Sequence, residues 1–214
     1  FNNLTFDDTN VIVGAGYGLQ KLAVQACKMG LSGLEFATGI PGTVGGACFN
    51  NSGAYNSDMG YIVTYVKVLT PSLEIKTLYN SDLNYHYRTS FFKDHPEYII
   101  LEAKLKLKKG NKKEIIELVT DRRKRRLESQ PLDYPSAGSV FRNPEGNYAG
   151  KLIEELGFKG KRSGGAKVSE KHANFIVNTG RAKGRDIIKL INKIQEKVKE
   201  EYGIDLVLEQ EIVE

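Results

Sequence analysis

The segment Gly39-Ile40-Pro41-Gly42-Thr43-Val44-Gly45-Gly46-Ala47, continued by Asn51-Ser52-Gly53-Ala54-Tyr55, constrains this chain more than any other part of it. Glycine at this density opposes a regular helix, because each residue adds backbone freedom that folding must remove. It also leaves backbone N–H groups without side-chain cover. Such a segment can approach a pyrophosphate closely and offer it several donors. A floppy surface loop is the plainer reading, but Ile40, Val44, Ala47, Phe49 and Tyr55 are apolar enough to pack. The balance favours a ligand cradle formed by Gly39, Ile40, Pro41, Gly42, Thr43, Gly45, Gly46, Ala47, Asn51, Gly53, Ala54 and Tyr55.

The flanking pattern is α+β. Val11-Ile12-Val13 reads as a strand that ends in Gly14-Ala15-Gly16-Tyr17-Gly18, and a helix follows from Leu19 to a stop at Gly30. A dinucleotide fingerprint would need its third glycine where Leu19 stands, so a tight turn is the better reading. Residues 61–69 and 73–78 predict paired strands around Pro71-Ser72, residues 98–107 alternate as a further strand, and 113–128 predict a helix. Pro131 and Pro135 mark a linker over 129–135. Beyond it come an extended Ser139-Val140-Phe141, a helix from Ala149 to Leu156 and an apolar strand at Phe175-Ile176-Val177. Ile187, Leu190, Ile191, Ile194 and Val198 stripe a helix over 184–202 that Gly203 stops. Alternation over 204–213 predicts a final strand. The expected domains are residues 1–130 and 131–214.

Composition excludes several classes. A chain of 214 residues, 40% hydrophobic and 27% charged, can bury a real core and is neither disordered nor collagen-like. No apolar run has the length of a membrane span, and Phe1-Asn2-Asn3-Leu4 lacks the basic and apolar regions of a signal peptide. Cys27 and Cys48 fit no metal spacing and read as buried thiols of a reducing compartment, so no metal and a cytoplasmic location are expected. The net charge of +5 is a mild excess. It gathers at Arg122-Arg123-Lys124-Arg125-Arg126 and at Lys159, Lys161, Arg162, Lys167 and Lys171. The first run has no interleaved aromatics and suits a solvated helix face better than a nucleic acid.

Few residues invite chemistry. Arg88, within Tyr85-His86-Tyr87-Arg88-Thr89-Ser90, can pair bidentately with a carboxylate or phosphate, or stack on tyrosine at the surface; both readings stay open. Gly138-Ser139-Val140-Phe141-Arg142-Asn143-Pro144 departs from the G-x-S-x-G turn of esterases. His172 suits an anion or a packed position equally, and Glu211 with Glu209 reads as a solvated pair.

Together these segments are similar to the UDP-N-acetylenolpyruvoylglucosamine reductases, flavin enzymes that make UDP-N-acetylmuramate for peptidoglycan. The resemblance runs through Gly14-Ala15-Gly16, Gly33-Leu34-Glu35-Phe36, the glycine-rich run, Tyr87-Arg88-Thr89-Ser90 and Gly138 to Pro144. It continues through Gly164 to Ser169, His172-Ala173-Asn174-Phe175-Ile176-Val177-Asn178 and Glu209-Gln210-Glu211-Ile212, and so covers nearly the whole chain. It implies the shorter form of the family, with part of a vanillyl-alcohol-oxidase-type FAD-binding domain followed by a smaller α+β substrate domain. A further N-terminal stretch with a second glycine-rich flavin loop is expected to precede Phe1 in the family.

The resemblance also implies the chemistry. NADPH passes a hydride to FAD, and the flavin passes it to the enolpyruvyl group of a UDP-sugar. Ser139 matches the proton donor, and Arg88 and Glu211 match the groups that stabilise the enolic intermediate. Tyr87, Arg142, Asn143, Lys159 and His172 are expected substrate contacts. Asn56-Ser57-Asp58 departs from the family's Gly-Gly-Glu, and Arg142 replaces a common lysine with its charge kept. A UDP-sugar-binding fragment without flavin or activity is the alternative.

Overall fold

The computed structural model describes residues 1–213, and the chain divides into two units, Phe1–Lys124 and Arg125 onward. The first unit opens with β1 (Leu4–Asp7) and β2 (Asn10–Gly14), then α1 (Leu19–Lys28) and the short β3 (Leu31–Ser32). The glycine-rich region holds α2 (Val44–Phe49) and a small hairpin of β4 (Gly53–Ala54) and β5 (Ser57–Asp58). Next come β6 (Val63–Leu69), β7 (Ile75–Tyr79), α3 (Phe91–Asp94), β8 (Ile99–Lys106) and β9 (Lys108–Lys109). The main sheet is antiparallel in the order β1-β2-β8-β6-β7. Its buried face presents Val11, Val13, Val66, Val68, Ala103 and Leu105 to Leu19, Leu22, Ala23 and Ala26 of α1. The alternation read from the sequence thus becomes the pleat, and the helical spacing becomes the stripe that covers it. α4 (Lys112–Ser129) begins in this unit with Ile115 as its buried residue and runs on into the second.

The second unit contains β10 (Ser136–Ser139), α5 (Ala149–Glu155), β11 (Arg162–Ser163), β12 (Ala166–Val168), β13 (Phe175–Asn178) and α6 (Gly184–Tyr202). Its sheet is antiparallel in the order β10-β13-β12-β11. Leu190, Ile191, Ile194 and Val198 of α6 are buried in a core with Phe141, Ile153, Phe158 and Ile176. Gly203, at φ 69°, ends the helix in the left-handed conformation that glycine adopts most readily.

Two expectations are corrected. The glycine-dense run does contain a regular helix, α2. Thr43 caps it by accepting a hydrogen bond from Gly46 N–H at 3.2 Å, and Val44, Ala47 and Cys48 bury one face. A Cβ on Gly45 would lie 2.9 Å from that of Ala15, so glycine there lets the helix press against the turn after β2. Packing outweighs the poor helix propensity. The alternating tail over 204–213 is not a strand. It makes one bridge, Leu208 to Phe141, flanked by Arg142 N–H to Val207 C=O and Glu209 N–H to Val140 C=O, each 2.9 Å. Alternation survives as burial, with Leu206 inside and Val207 outside. The partner segment runs into Pro144, which has no N–H to extend a ladder.

Cys27 and Cys48 are free and buried, as expected. Burial is the main cause that pushes their thiols up to about 11 and about 12, so neither is a ready nucleophile.

Candidate active site

In the first unit the glycine-rich segment has two kinds of position. Gly45, Ala47, Asn51 and Gly53 are buried, while Pro41, Gly42, Thr43 and Gly46 are exposed. Gly39 and Ile40 end a short 3-10 turn, half-buried. A Cβ on Gly53 would fall 2.4 Å from Ser57 O, so this glycine closes the β4–β5 hairpin. A Cβ on Gly42, whose φ is 112°, would meet nothing within 4 Å. One on Gly46 would meet Thr43 Oγ1 alone, at 3.5 Å. An open, side-chain-free surface of this kind fits close approach by a pyrophosphate. The donors are fewer than the sequence suggests. Val44 N–H bonds to Tyr17 C=O at 2.9 Å, Gly45 N–H to Ala15 C=O at 2.8 Å, and Gly46 N–H to Thr43. Tyr55 lies under the Arg122 guanidinium, 4.6 Å from its ring centre, and Ala54 pairs with Ser57.

Arg88 stands half-buried in a turn closed by hydrogen bonds between His86 and Thr89. Its φ of 56° is left-handed, and its Nη2 donates to Gly53 C=O at 2.8 Å. It also lies 4.9 Å from the ring centre of the exposed Tyr87. Stacking on tyrosine is therefore present, and the guanidinium is also fixed by a backbone carbonyl.

In the second unit a cavity of about 340 Å³ gathers Ser139, Asn143 and His172 with Tyr148, Lys151 and Lys171. Ser139 ends a strand paired with Phe175, and the two residues after it are held by Asn174, which is 4% exposed. Its Nδ2 donates to Phe141 C=O at 2.8 Å, its Oδ1 accepts from Phe141 N–H at 3.0 Å, and its carbonyl accepts from Val140 N–H at 2.9 Å. Asn143 Oδ1 accepts from Ala149 N–H at 3.1 Å, which ties the loop to the start of α5. Sequence reasoning missed Tyr148, Lys151, Glu154 and Asn174 as lining residues. The first three recur every third position around α5, a spacing that puts them on one face and could have revealed them.

The predicted basic cluster is divided among partners. Lys159 Nζ lies 2.6 Å from Glu154 Oε1, Lys167 pairs with Glu170 at 2.7 Å, and Lys161 sits over Phe158. Arg142 Nε is buried and 3.5 Å from Glu209 Oε2, an ion pair without a hydrogen bond. Glu211 lies past the Leu208 bridge and is exposed. Among the described residues no group of His, Cys, Asp and Glu could hold a metal ion.

His172 accepts Asn174 N–H on Nδ1 at 3.2 Å, which leaves the proton of the neutral ring on Nε2. Burial, then the charge of Lys159, lowers its pKa below 6.5. The unfolded ring therefore binds a proton at a pH where the folded ring does not. The resulting stability is present above 6.5 and is lost as the pH falls through the lowered value. In a thermal melt against pH, His172→Gln is expected to flatten the loss of Tm below 6.5; an unchanged slope would assign that loss to other groups.

Residues 1–79 match a family model described as an FAD binding domain. Residues 130–213 match one described as UDP-N-acetylenolpyruvoylglucosamine reductase, C-terminal domain. The fold is thus an FAD-binding domain followed by a smaller α+β domain. A curated protein of Anoxybacillus flavithermus named UDP-N-acetylenolpyruvoylglucosamine reductase is 48% identical over 99% of this chain and 70% of its own length. Proteins of the same name are 47% identical in Caldanaerobacter subterraneus and 42% in Bacillus subtilis, over the same shares. The crystal structure of UDP-N-acetylenolpyruvylglucosamine reductase from Thermus caldophilus matches with a TM-score of 0.84 and 38% identity, over 97% of this chain and 73% of that one. The chain belongs to the UDP-N-acetylenolpyruvoylglucosamine reductase family.

Proposed function

We propose that this chain carries the residues of an FAD-dependent, NADPH-driven reductase that converts UDP-N-acetylglucosamine enolpyruvate to UDP-N-acetylmuramate. The observation that carries the reading is the cavity that places Ser139 among Asn143, Lys151, Lys171 and His172. Cations beside polar donors suit a substrate with two phosphates. Residues 1–130 are assigned to the flavin and 131–214 to the substrate. Pro41, Gly42, Thr43 and Gly46, exposed and free of bulky cover, are the part of the cradle assigned to direct flavin contact. The chemistry FAD supplies when bound is transfer of a hydride from NADPH to enolpyruvyl carbon C3.

Hydride arrival at C3 builds negative charge on C2 and the carboxylate. Arg88 is assigned to that carboxylate, because a preset cation stabilises developing charge without reorganising. Ser139 is assigned to protonate C2. A serine hydroxyl is a weak acid and does this only along an aligned hydrogen bond, and the clamp by Asn174 holds the strand end in one place. Glu211 stabilises the same intermediate only if protonated or hydrogen-bonded there, since a bare carboxylate repels it. Tyr87, Arg142, Lys159 and His172 complete the proposed substrate contacts. The buried free thiols fit a reducing, cytoplasmic setting, and no helix among the described residues is long and apolar enough to cross a membrane.

The test is to incubate the chain with FAD, desalt it and record its visible spectrum, then to follow NADPH consumption with the enolpyruvyl substrate. A retained flavin band and substrate-dependent NADPH consumption are expected, with slower consumption of NADH. Substrate binding without a flavin band would select the UDP-sugar-binding reading instead.

A further inference from the structure

Asn51 lies in the glycine-rich segment but cannot belong to its ligand surface. It is 1% exposed, and its φ of 42° is left-handed, a region asparagine tolerates better than most residues. Both ends of its amide are used. Nδ2 donates to His86 C=O at 2.8 Å, and Oδ1 accepts from Gly60 N–H at 2.9 Å. His86 is the first residue of the turn that displays Arg88. The turn's own hydrogen bonds, His86 N–H to Thr89 C=O and Thr89 N–H to His86 C=O, both 3.1 Å, shape it but do not orient it. Orientation comes from three bonds to the glycine-rich segment. These are Asn51 to His86, Arg88 Nη2 to Gly53 C=O at 2.8 Å, and the buried Ser90 Oγ to Phe49 C=O at 2.6 Å. Only a side chain that donates and accepts at once can bridge a carbonyl and an N–H in this way, which selects asparagine over aspartate.

We propose that Asn51 is a positioning residue for Arg88. It straps the Tyr87-Arg88 turn to the glycine-rich segment and so presets the guanidinium for a substrate carboxylate, rather than contacting the flavin. This rests on the assignment of Arg88 to that carboxylate.

The test uses the full chain loaded with FAD and the variants Asn51→Ala, Asn51→Asp and Arg88→Lys. Asp keeps the acceptor for Gly60 but sets an oxygen against the His86 carbonyl, so it cuts one strap and remains informative if Ala fails to fold. Flavin content, flavin reduction by NADPH and flavin reoxidation by the enolpyruvyl substrate are measured separately, with amide exchange over residues 85–90. For both Asn51 variants, exchange over 85–90 is expected to quicken, and reoxidation to slow by up to about 100-fold, the scale of a 1 Å misplacement. Flavin content and its reduction by NADPH stay unchanged. Loss of flavin, or parallel slowing of both half-reactions, would overturn the proposal in favour of a cofactor or purely structural role. Quickened exchange with native reoxidation would also overturn it. Arg88→Lys removes the guanidinium and its bond to Gly53 and is expected to slow reoxidation whatever the exchange over 85–90 does; native reoxidation in that variant would instead remove the assignment of Arg88.

Discussion

Replacing Ser139 with alanine is expected to lower formation of the reduced UDP-sugar by about 10²–10⁴-fold, the usual contribution of a positioned proton donor. Flavin reduction by NADPH should be unaffected, because the hydroxyl is assigned only to the carbanionic carbon of the substrate. Substrate affinity should change little, since Asn143, Lys151, Lys171 and His172 still line the cavity. The backbone around Ser139 is fixed by Asn174 and by Phe141, neither of which depends on the hydroxyl, so the variant should fold and melt like the parent. Single-turnover reoxidation of the reduced protein by the enolpyruvyl substrate is the direct measurement. A variant that turns over at the parent rate would place the proton donor elsewhere, with the Nε2–H of His172 one candidate in the cavity.

Replacing Phe141 with alanine is expected to cost about 3–5 kcal/mol, the range for removing a buried aromatic ring. Phe141 is 2% exposed and packs with Ile153, Phe158, Ile176 and α6 in the core of the second unit. Its backbone N–H and C=O stay clamped by Asn174, so the site cannot collapse freely around the lost ring. The denaturation midpoint should fall with little change in the slope m. A loss under about 1 kcal/mol would mean that neighbouring side chains refill the cavity.

Much of the fold was legible in the residues. The alternation of Val11 and Val13 and the stripe from Ile187 to Val198 each state a period, and a period is a local property that packing then exploits. Gly203 and Gly157 ended their helices for an equally local reason, the left-handed backbone they adopt at 69° and 66°. α2 was not legible, because the residue that makes it possible is Ala15, about thirty positions away, against which Gly45 must fit. The tail after Gly203 misled for a related reason. Alternation reports which side chains face inward, but the ladder depends on a partner, and the partner ends at Pro144.

The candidate site divides in the same way. The sequence alone identified the family, because motif order is written along the chain, and it named the residues proposed to carry the chemistry. It showed neither that Asn174 grips Phe141 nor that Asn51 grips His86, at separations of 33 and 35 residues. A buried asparagine and a solvated one look alike in a string of letters. Only the tertiary structure, by removing water from around an amide and supplying one donor and one acceptor in its place, decides which of them holds a site together.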